Sequence, residues 1–349
     1  ASAMGQRHGH RFGDARERDL HGTGFAEAAL SGTGAGHTWL VGGAFQAERY
    51  DARDVAGHDY THLVPAVFAQ DEYVAAGWLT LSASARADLH DEHGAFLSPR
   101  LAVLLRPGEW TARLSAGTGY HAPTPFTEET EAVGLARLLP LRGLRAERAR
   151  TFSADLGRSV GPVELNATVF GSVVERALQL RDAGGGFFAL ANADGDVRTA
   201  GTELLARYHR EGVHLTATHT FIRSTEPSPD GSGRRTVPLT PRHALGLVGM
   251  WEAEGRGRLG VEAYYTGRQA LEENPFRGES EAYLVLGALA ERRVGRARLF
   301  LNAENLTDAR QTRFDPLLRP SRSPQGRWTT DVWAPLEGRV FNAGVRLEL

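Results

Sequence analysis

The chain is 349 residues long, with 40 basic and 42 acidic side chains, a formal net charge of −2 and 41 glycines. That balance excludes the basic excess by which nucleic-acid-binding proteins are recognised, and the absence of cysteine removes disulfides, thiolate metal sites and a cysteine nucleophile. No apolar run reaches the roughly 18 to 20 residues of a membrane helix, which excludes a helical span but leaves a membrane β-barrel open, because barrel strands are short and turn only alternate residues to lipid.

The length accommodates one large β domain or two ordinary ones. Every cation is arginine, as the codon bias of a GC-rich genome would give. The opening Ala1-Ser2-Ala3-Met4-Gly5-Gln6-Arg7-His8 lacks the apolar core of a signal peptide. Either a signal has been removed or the sequence starts part-way through a longer protein.

Residues 1–22 are polar and carry His8, His10 and His21 among Arg and Asp. Their spacing fits no compact ligand set, so a solvated loop is expected rather than a metal cluster. Strand-like text begins at Thr23 and runs to Ser31. Gly32-Thr33-Gly34-Ala35-Gly36 lacks the lysine and helix of a phosphate loop and reads as a tight turn.

Alternation of apolar and polar residues then predicts strands at 37–49, 60–73, 79–90, 95–105, 110–120, 147–159 and 163–175. Beyond the middle it predicts 197–210, 213–223, 238–252, 258–268, 280–293, 296–304 and 338–349, about 15 strands in all. The clearest is the fourth, where Leu79, Leu81, Ala83, Ala85, Ala87 and Leu89 share one face. The last alternates as cleanly, with Phe341, Ala343, Val345, Leu347 and Leu349 on one side and Asn342, Gly344, Arg346 and Glu348 on the other.

The connections alternate in length. Short turns fall at 32–36, 74–77, 106–109, 160–162, 211–212, 253–257 and 294–295. Longer loops fall at 50–59, 121–146, 176–196, 224–237, 269–279 and 305–337, and only 91–94 is short where a long loop is due. Sorting of this kind belongs to outer-membrane barrels and has no reason to arise in a soluble sandwich. The fold expected is all-β, a transmembrane antiparallel up-and-down β-barrel over 23–349. With the long loops outside, the last strand ends in the periplasm, the first strand also runs inward, and residues 1–22 form an extracellular loop or partial strand. A barrel that starts outside the cell is incomplete, so a C-terminal fragment is expected.

Three segments carry a resemblance. Leu299-Phe300-Leu301-Asn302-Ala303-Glu304-Asn305-Leu306-Thr307-Asp308 looks like the penultimate strand and turn of TonB-dependent outer-membrane receptors. Pro335-Leu336-Glu337-Gly338-Arg339-Val340-Phe341, leading into the last strand, resembles their close. Ser98-Pro99-Arg100-Leu101-Ala102, followed by Gly117-Thr118-Gly119-Tyr120-His121-Ala122-Pro123, is similar to a mid-barrel strand pair of the family. The ending departs from the pattern, with Leu349 where many such barrels finish on Phe or Trp. The resemblance implies a barrel of about 22 strands with a plugged lumen, of which roughly seven strands and the plug lie outside this sequence. It further implies TonB-dependent uptake of a scarce, bulky solute such as a ferric siderophore or cobalamin, in the outer membrane of a Gram-negative bacterium. The implied partners are the TonB complex through the plug, outer-membrane lipid and a small-molecule or metal-chelate ligand, with the protein monomeric. The alternative is a passive porin-like channel or surface adhesin without a plug; a soluble carbohydrate-binding β domain is a third reading.

No catalytic constellation is expected, nor a cofactor or a metal. Ser98 and Ser115 lack a nucleophile elbow, and the acid pairs Glu128-Glu129 and Glu272-Glu273 read as solvated loop charge. The polar strand face carries Arg86, Asp88, Arg113, Glu164, Asn166, Glu203, Arg207, Glu262, Asn302, Glu304, Arg346 and Glu348, whose ordinary role is to solvate the lumen and bond a plug. Phe126, Phe187, Phe188, Phe276, Trp328 and Trp333 are loop aromatics able to grip a ligand, and the two tryptophans suit an interfacial girdle equally. Arg310, Arg313, Arg319, Arg322 and Arg327 make the 305–337 loop a candidate for attracting an anionic chelate, against the ordinary reading of a solvated loop. No single ligand-binding residue is singled out.

Overall fold

The computed structural model describes residues 1–12, 15–127, 130, 133–323 and 326–347. Its first strands are β1 (Ser2–Phe12), β2 (Ala15–Gly34), β3 (His37–Ala52), β4 (Tyr60–Ala76), β5 (Leu79–His90), β6 (Gly94–Leu105) and β7 (Trp110–His121). There follow β8 (Glu147–Val160), β9 (Val163–Glu175), β10 (Leu178–Gly184), β11 (Phe187–Asn192), β12 (Val197–Arg210) and β13 (Val213–Pro227). The last are β14 (Arg234–Thr236), β15 (His243–Ala253), β16 (Gly257–Thr266), β17 (Tyr283–Val294), β18 (Ala297–Glu304) and β19 (Val340–Leu347).

Among the described residues seventeen strands form one sheet, and β10 with β11 make a separate hairpin. Each strand runs antiparallel to the next: β1 pairs with β2, β9 passes over the hairpin to pair with β12, β13 pairs with β14 and β15, and β18 pairs with β19. Leaving out the three-residue β14, sixteen long strands remain of the seventeen.

The register makes two faces. One row reads Val103, Leu114, Ala154, Val169 across β6, β7, β8 and β9, and the next reads Arg113, Asp155, Thr168, Glu203, Thr220 across β7, β8, β9, β12 and β13. Period-two alternation and antiparallel pairing therefore sort the whole sheet into an apolar and a polar face. On the apolar face large side chains stand exposed, among them Val67, Leu97, Leu101, Phe152, Leu204, Leu247, Val261, Leu301 and Val345. At its short-turn border Trp39, Tyr73, Trp78, Trp110 and Trp251 form an exposed aromatic band of the kind that sits at a membrane–water interface.

The short connections are tight because their backbone allows it. Ala35 and Gly36 both have positive φ, 50° and 84°, the two-residue turn whose twist matches paired strands. In the turn at 211–212, Gly212 combines φ 79° with a neighbour so close that a Cβ would stand 2.2 Å from the Glu252 carbonyl oxygen.

Three expectations change. Residues 1–22 are not a solvated loop but β1 and the start of β2, paired from Ser2↔Phe25 to Phe12↔Ala15. Polar residues stand on both faces of this strand pair, so the alternation that marks a lipid-facing strand is missing. The extra strand also reverses the parity: β1 runs from Ser2, opposite Phe25 midway along β2, toward the long-loop end, so the first strand runs outward rather than inward. The stretches 238–242 and 280–282 are loop rather than strand, since β15 starts at His243 and β17 at Tyr283. Leu349 and Glu348 lie outside the described residues.

Candidate functional site

At the long-loop end the polar face is roofed by folded connections. The 122–146 loop makes a one-turn 3-10 helix, Leu135–Arg137, whose Leu135 and following Leu138 pack with Tyr50, Ala52, Leu178 and Leu190 into a small buried core. The hairpin β10–β11 completes it through a bridge between Leu138 and Phe188. Glu17 on β2, itself buried, accepts the Leu135 and Ala136 N–H groups at 3.1 and 2.8 Å. A carboxylate thus caps donors that the short helix leaves unpaired. Asn192 accepts from Arg145 N–H at 2.8 Å and donates to the Arg176 carbonyl at 2.7 Å, tying the hairpin to the same loop.

Beneath this roof lies a line of polar and aromatic groups. Glu48 accepts from Tyr60 Oη at 2.6 Å and lies 2.9 Å from His21 Nε2, while the Phe126 ring meets Tyr50 edge-on at 4.6 Å between centroids. His58 donates from Nε2 to the Leu138 carbonyl at 3.1 Å, which fixes its neutral tautomer and leaves Nδ1 buried without a hydrogen-bond partner. Burial pulls the His58 imidazole below its ordinary value, outweighing the loop carbonyls and the carboxylates of Glu17 and Asp59.

Next to His58, the ends of β4 and β5 and the turn between β5 and β6 bring His62, His90, Asp91, Glu92 and His93 together. Ring centroids of His62 and His90 are 4.6 Å apart, and those of His90 and His93 are 4.8 Å apart. His62, His90 and Asp91 each offer a ligand atom, all within 4.8 Å of one another. Burial likewise holds His93 below the usual imidazole range, against the opposing Glu92. A cavity of about 350 Å³ opens beside the group, lined by His58, Asp59, Tyr60, His62, Glu92, His93, Pro123, Pro125 and Leu141 to Leu144. The signal in the sequence is His90-Asp91-Glu92-His93, four ligand-type residues closing an alternating strand. The N-terminal histidines make no such group: His8 lies 2.9 Å from Asp19 and His21 2.9 Å from Glu48, each with its own carboxylate.

All the expected polar-face residues that are described share one face, but they are spread around the sheet, and three pairs of them bond each other. Arg86 bonds Asp88 at 2.8 Å, Arg207 reaches Glu164 at 3.5 Å, and Asn302 donates to Glu304 at 2.6 Å. Arg113, Asn166, Glu203, Glu262 and Arg346 occupy the same rows. Glu348, Glu128 and Glu129 lie outside the described residues. Glu272 is not free loop charge, since Arg235 binds it at 2.7 Å, and Ser115 hydrogen-bonds Ser153.

The 305–337 loop is folded rather than merely solvated. Gln311, fully buried, donates to the Asp331 carbonyl at 2.8 Å and accepts the Trp333 N–H at 2.9 Å. Its cations have partners nearby: Arg310 and Arg313 share Asp308, Arg327 holds Asp331 at 2.8 Å, Arg319 donates to the Glu273 backbone carbonyl, and Arg322 lies over the Trp328 ring. Burial pushes Asp308 upward, but Arg310, Arg313 and Arg339 outweigh it and hold the carboxyl below its usual range. Trp333 and Phe188, both 3 % exposed, are packed inside loops and grip nothing at a surface. Phe126, Phe187, Phe276 and Trp328 remain exposed.

On the apolar face, above the belt at the long-loop end, a depression of about 870 Å³ is lined by Arg150, Arg198, Arg223, Arg234, Arg235 and Phe152. Part of that charge is answered by Glu175 on Arg150 and by Asp196 on Arg198 at 3.3 Å.

Compared with known proteins, residues 5–306 match a family model described as TonB dependent receptor-like, beta-barrel. No curated protein sequence matches. Among solved structures, a mutant of the ferric enterobactin receptor PfeA of Pseudomonas aeruginosa aligns at TM-score 0.70 and 16% identity, over 95% of this chain and 53% of its own. The FrpB iron transporter of Neisseria meningitidis (F3-3 variant) aligns at 0.71 and 14%, over 95% and 55%. The siderophore receptor PirA of P. aeruginosa aligns at 0.66 and 13%, over 88% and 58%. The chain spans a little over half the length of the structures it matches, and at this identity the likeness speaks for the fold: an all-β, antiparallel, up-and-down transmembrane barrel architecture.

Proposed function

This chain belongs to the TonB-dependent receptor-like β-barrel family, a family of transport receptors rather than enzymes, and from that membership we propose that it forms wall and mouth of an outer-membrane receptor for a scarce, bulky solute. The observation that carries the reading is the roof of folded loops, latched by Glu17 and seated on Tyr50, which encloses a cavity where the polar face meets the outside. Ligand sites are largely pre-formed, and a latched roof supplies such a surface.

The cargo class is a ferric siderophore or a cobalamin-like chelate, and the location is the outer membrane of a Gram-negative bacterium. The apolar belt and the aromatic band support the lipid setting. The arginines of the outward depression stand where anionic lipid headgroups would meet them. Sixteen long strands against the roughly 22 of plugged transporters, together with the share of the neighbours' length, support a chain that works within a larger protein. In that protein a plug contacts the TonB complex, and the unit is a monomer.

The test is uptake of radiolabelled ferric chelates and cobalamin by cells with and without the gene that encodes this chain, before and after a protonophore. Loss of one energy-dependent uptake on deletion is expected. Uptake that survives the protonophore and falls on deletion would mean a passive channel instead.

A further inference from the structure

We propose that His62, His90, Asp91 and Glu92 form a binding site for one divalent transition-metal ion at the mouth of the barrel. His62 is almost wholly buried, yet its Nδ1 has no hydrogen-bond partner. Two carboxylate oxygens face that nitrogen, Asp91 Oδ1 at 3.7 Å and Glu92 Oε2 at 3.6 Å. Both distances are too long for hydrogen bonds. They are close to what two ligands of one ion keep: metal–ligand bonds of about 2.0 to 2.2 Å set at the tetrahedral angle give roughly 3.4 Å between ligand atoms. His90 Nδ1, 3.3 Å from the same Asp91 oxygen, supplies the next edge of that polyhedron. His90 Nδ1 accepts the Glu92 and His93 N–H groups at 3.2 and 3.3 Å, two hydrogen bonds that coordination of an ion would replace.

The donor set names the class of ion. Two imidazoles and two carboxylates are borderline ligands that suit zinc and its neighbours, with no thiolate to favour a soft monovalent ion. Two carboxylates also balance the charge of a divalent cation.

The placement gives a route. His62 and His90 lie on the polar face, away from lipid, and the cavity beside Glu92 and His93 connects them to the long-loop side. The site therefore takes a bare hydrated ion from outside, and it stands apart from the chelate reading above: a barrel that transports nothing would bind the ion equally.

The test is a zinc titration of the purified full-length protein in detergent, its affinity tag removed, against a chromophoric chelator at pH 7.5. One saturating equivalent is expected. The double variant His62→Ala, Asp91→Asn should weaken it by about 100-fold or more, and Glu92→Gln by about 10-fold. Heat-modifiable migration of each variant checks that the barrel persists, and His209→Ala, at the opposite end of the strands, should leave the titration unchanged. X-ray absorption at the zinc edge should report two imidazoles. Zinc binding that is absent, or that keeps its affinity and stoichiometry in the double variant, would overturn the site, whatever the chelate uptake experiment gives.

Discussion

At the scale of single residues, the roof over the mouth depends on groups that have given up solvent. His58 is neutral in the folded protein because burial disfavours its charged form, while in the unfolded chain it titrates near 6.5. The folded state then binds fewer protons than the unfolded one as the pH drops, so the His58 contribution is intact above that value and declines as pH falls through it. Limited proteolysis of the 122–146 loop should accelerate between pH 7.5 and 5.5, and His58→Gln, which can still donate to Leu138, should flatten the profile. Gln311 does the same kind of work without titrating. Gln311→Leu leaves the Trp333 N–H and the Asp331 carbonyl unpaired inside the 305–337 loop, costing about 1–3 kcal/mol; hydrogen exchange should quicken there while the barrel keeps its heat-modifiable migration. Neither residue announced itself in the sequence. A glutamine in an arginine-rich loop reads as solvated, and nothing in one-dimensional spacing brings Glu17 to Leu135 or sets His62 against His90; only the His90-Asp91-Glu92-His93 run was there to be seen.

At the scale of strands, the legible part was large, because period-two alternation and turn residues are local properties. Most of the expected strands match to within a few residues, with the starts of β15 and β17 shifted; what alternation did not give was β1 and the front of β2, where both faces are polar, and the short β10, β11 and β14 inside the expected loops 176–196 and 224–237. The strands also carry a device that pattern alone does not reveal: glycines stand directly opposite large rings, as in Gly42↔Phe68, Phe152↔Gly171, Phe170↔Gly201 and Phe300↔Gly344. Each ring lies over the bare backbone of its partner and shields it, which pins the register. At Gly201 an added Cβ would meet the Phe170 Cζ at 2.5 Å and the Phe221 carbonyl oxygen at 2.4 Å. Gly201→Val should therefore destabilise the β9–β12–β13 region by about 1–3 kcal/mol, seen as a lower temperature for loss of heat-modifiable migration; Gly77→Ala, in open space, should not.

At the scale of the whole molecule, the sorting of connections predicts which side faces out. The chain has no cysteine, so single-cysteine variants report position without background. A membrane-impermeant maleimide should label Arg142→Cys in intact cells and leave Glu254→Cys unlabelled until the outer membrane is opened; the reverse pattern would invert the topology. The latch at the mouth has a last consequence, for the order in which the molecule is built. Glu17 and the N–H groups it holds are 118 and 119 residues apart along the chain, whereas nearly every pairing in the sheet joins neighbours in sequence. Contacts of such long range carry the greatest loop-closure cost and form late. Hairpins can zip one after another, β2 onward, before the roof has anything to close on, so the mouth is the final piece to set, and its residues are free to vary without slowing the assembly of the wall beneath them.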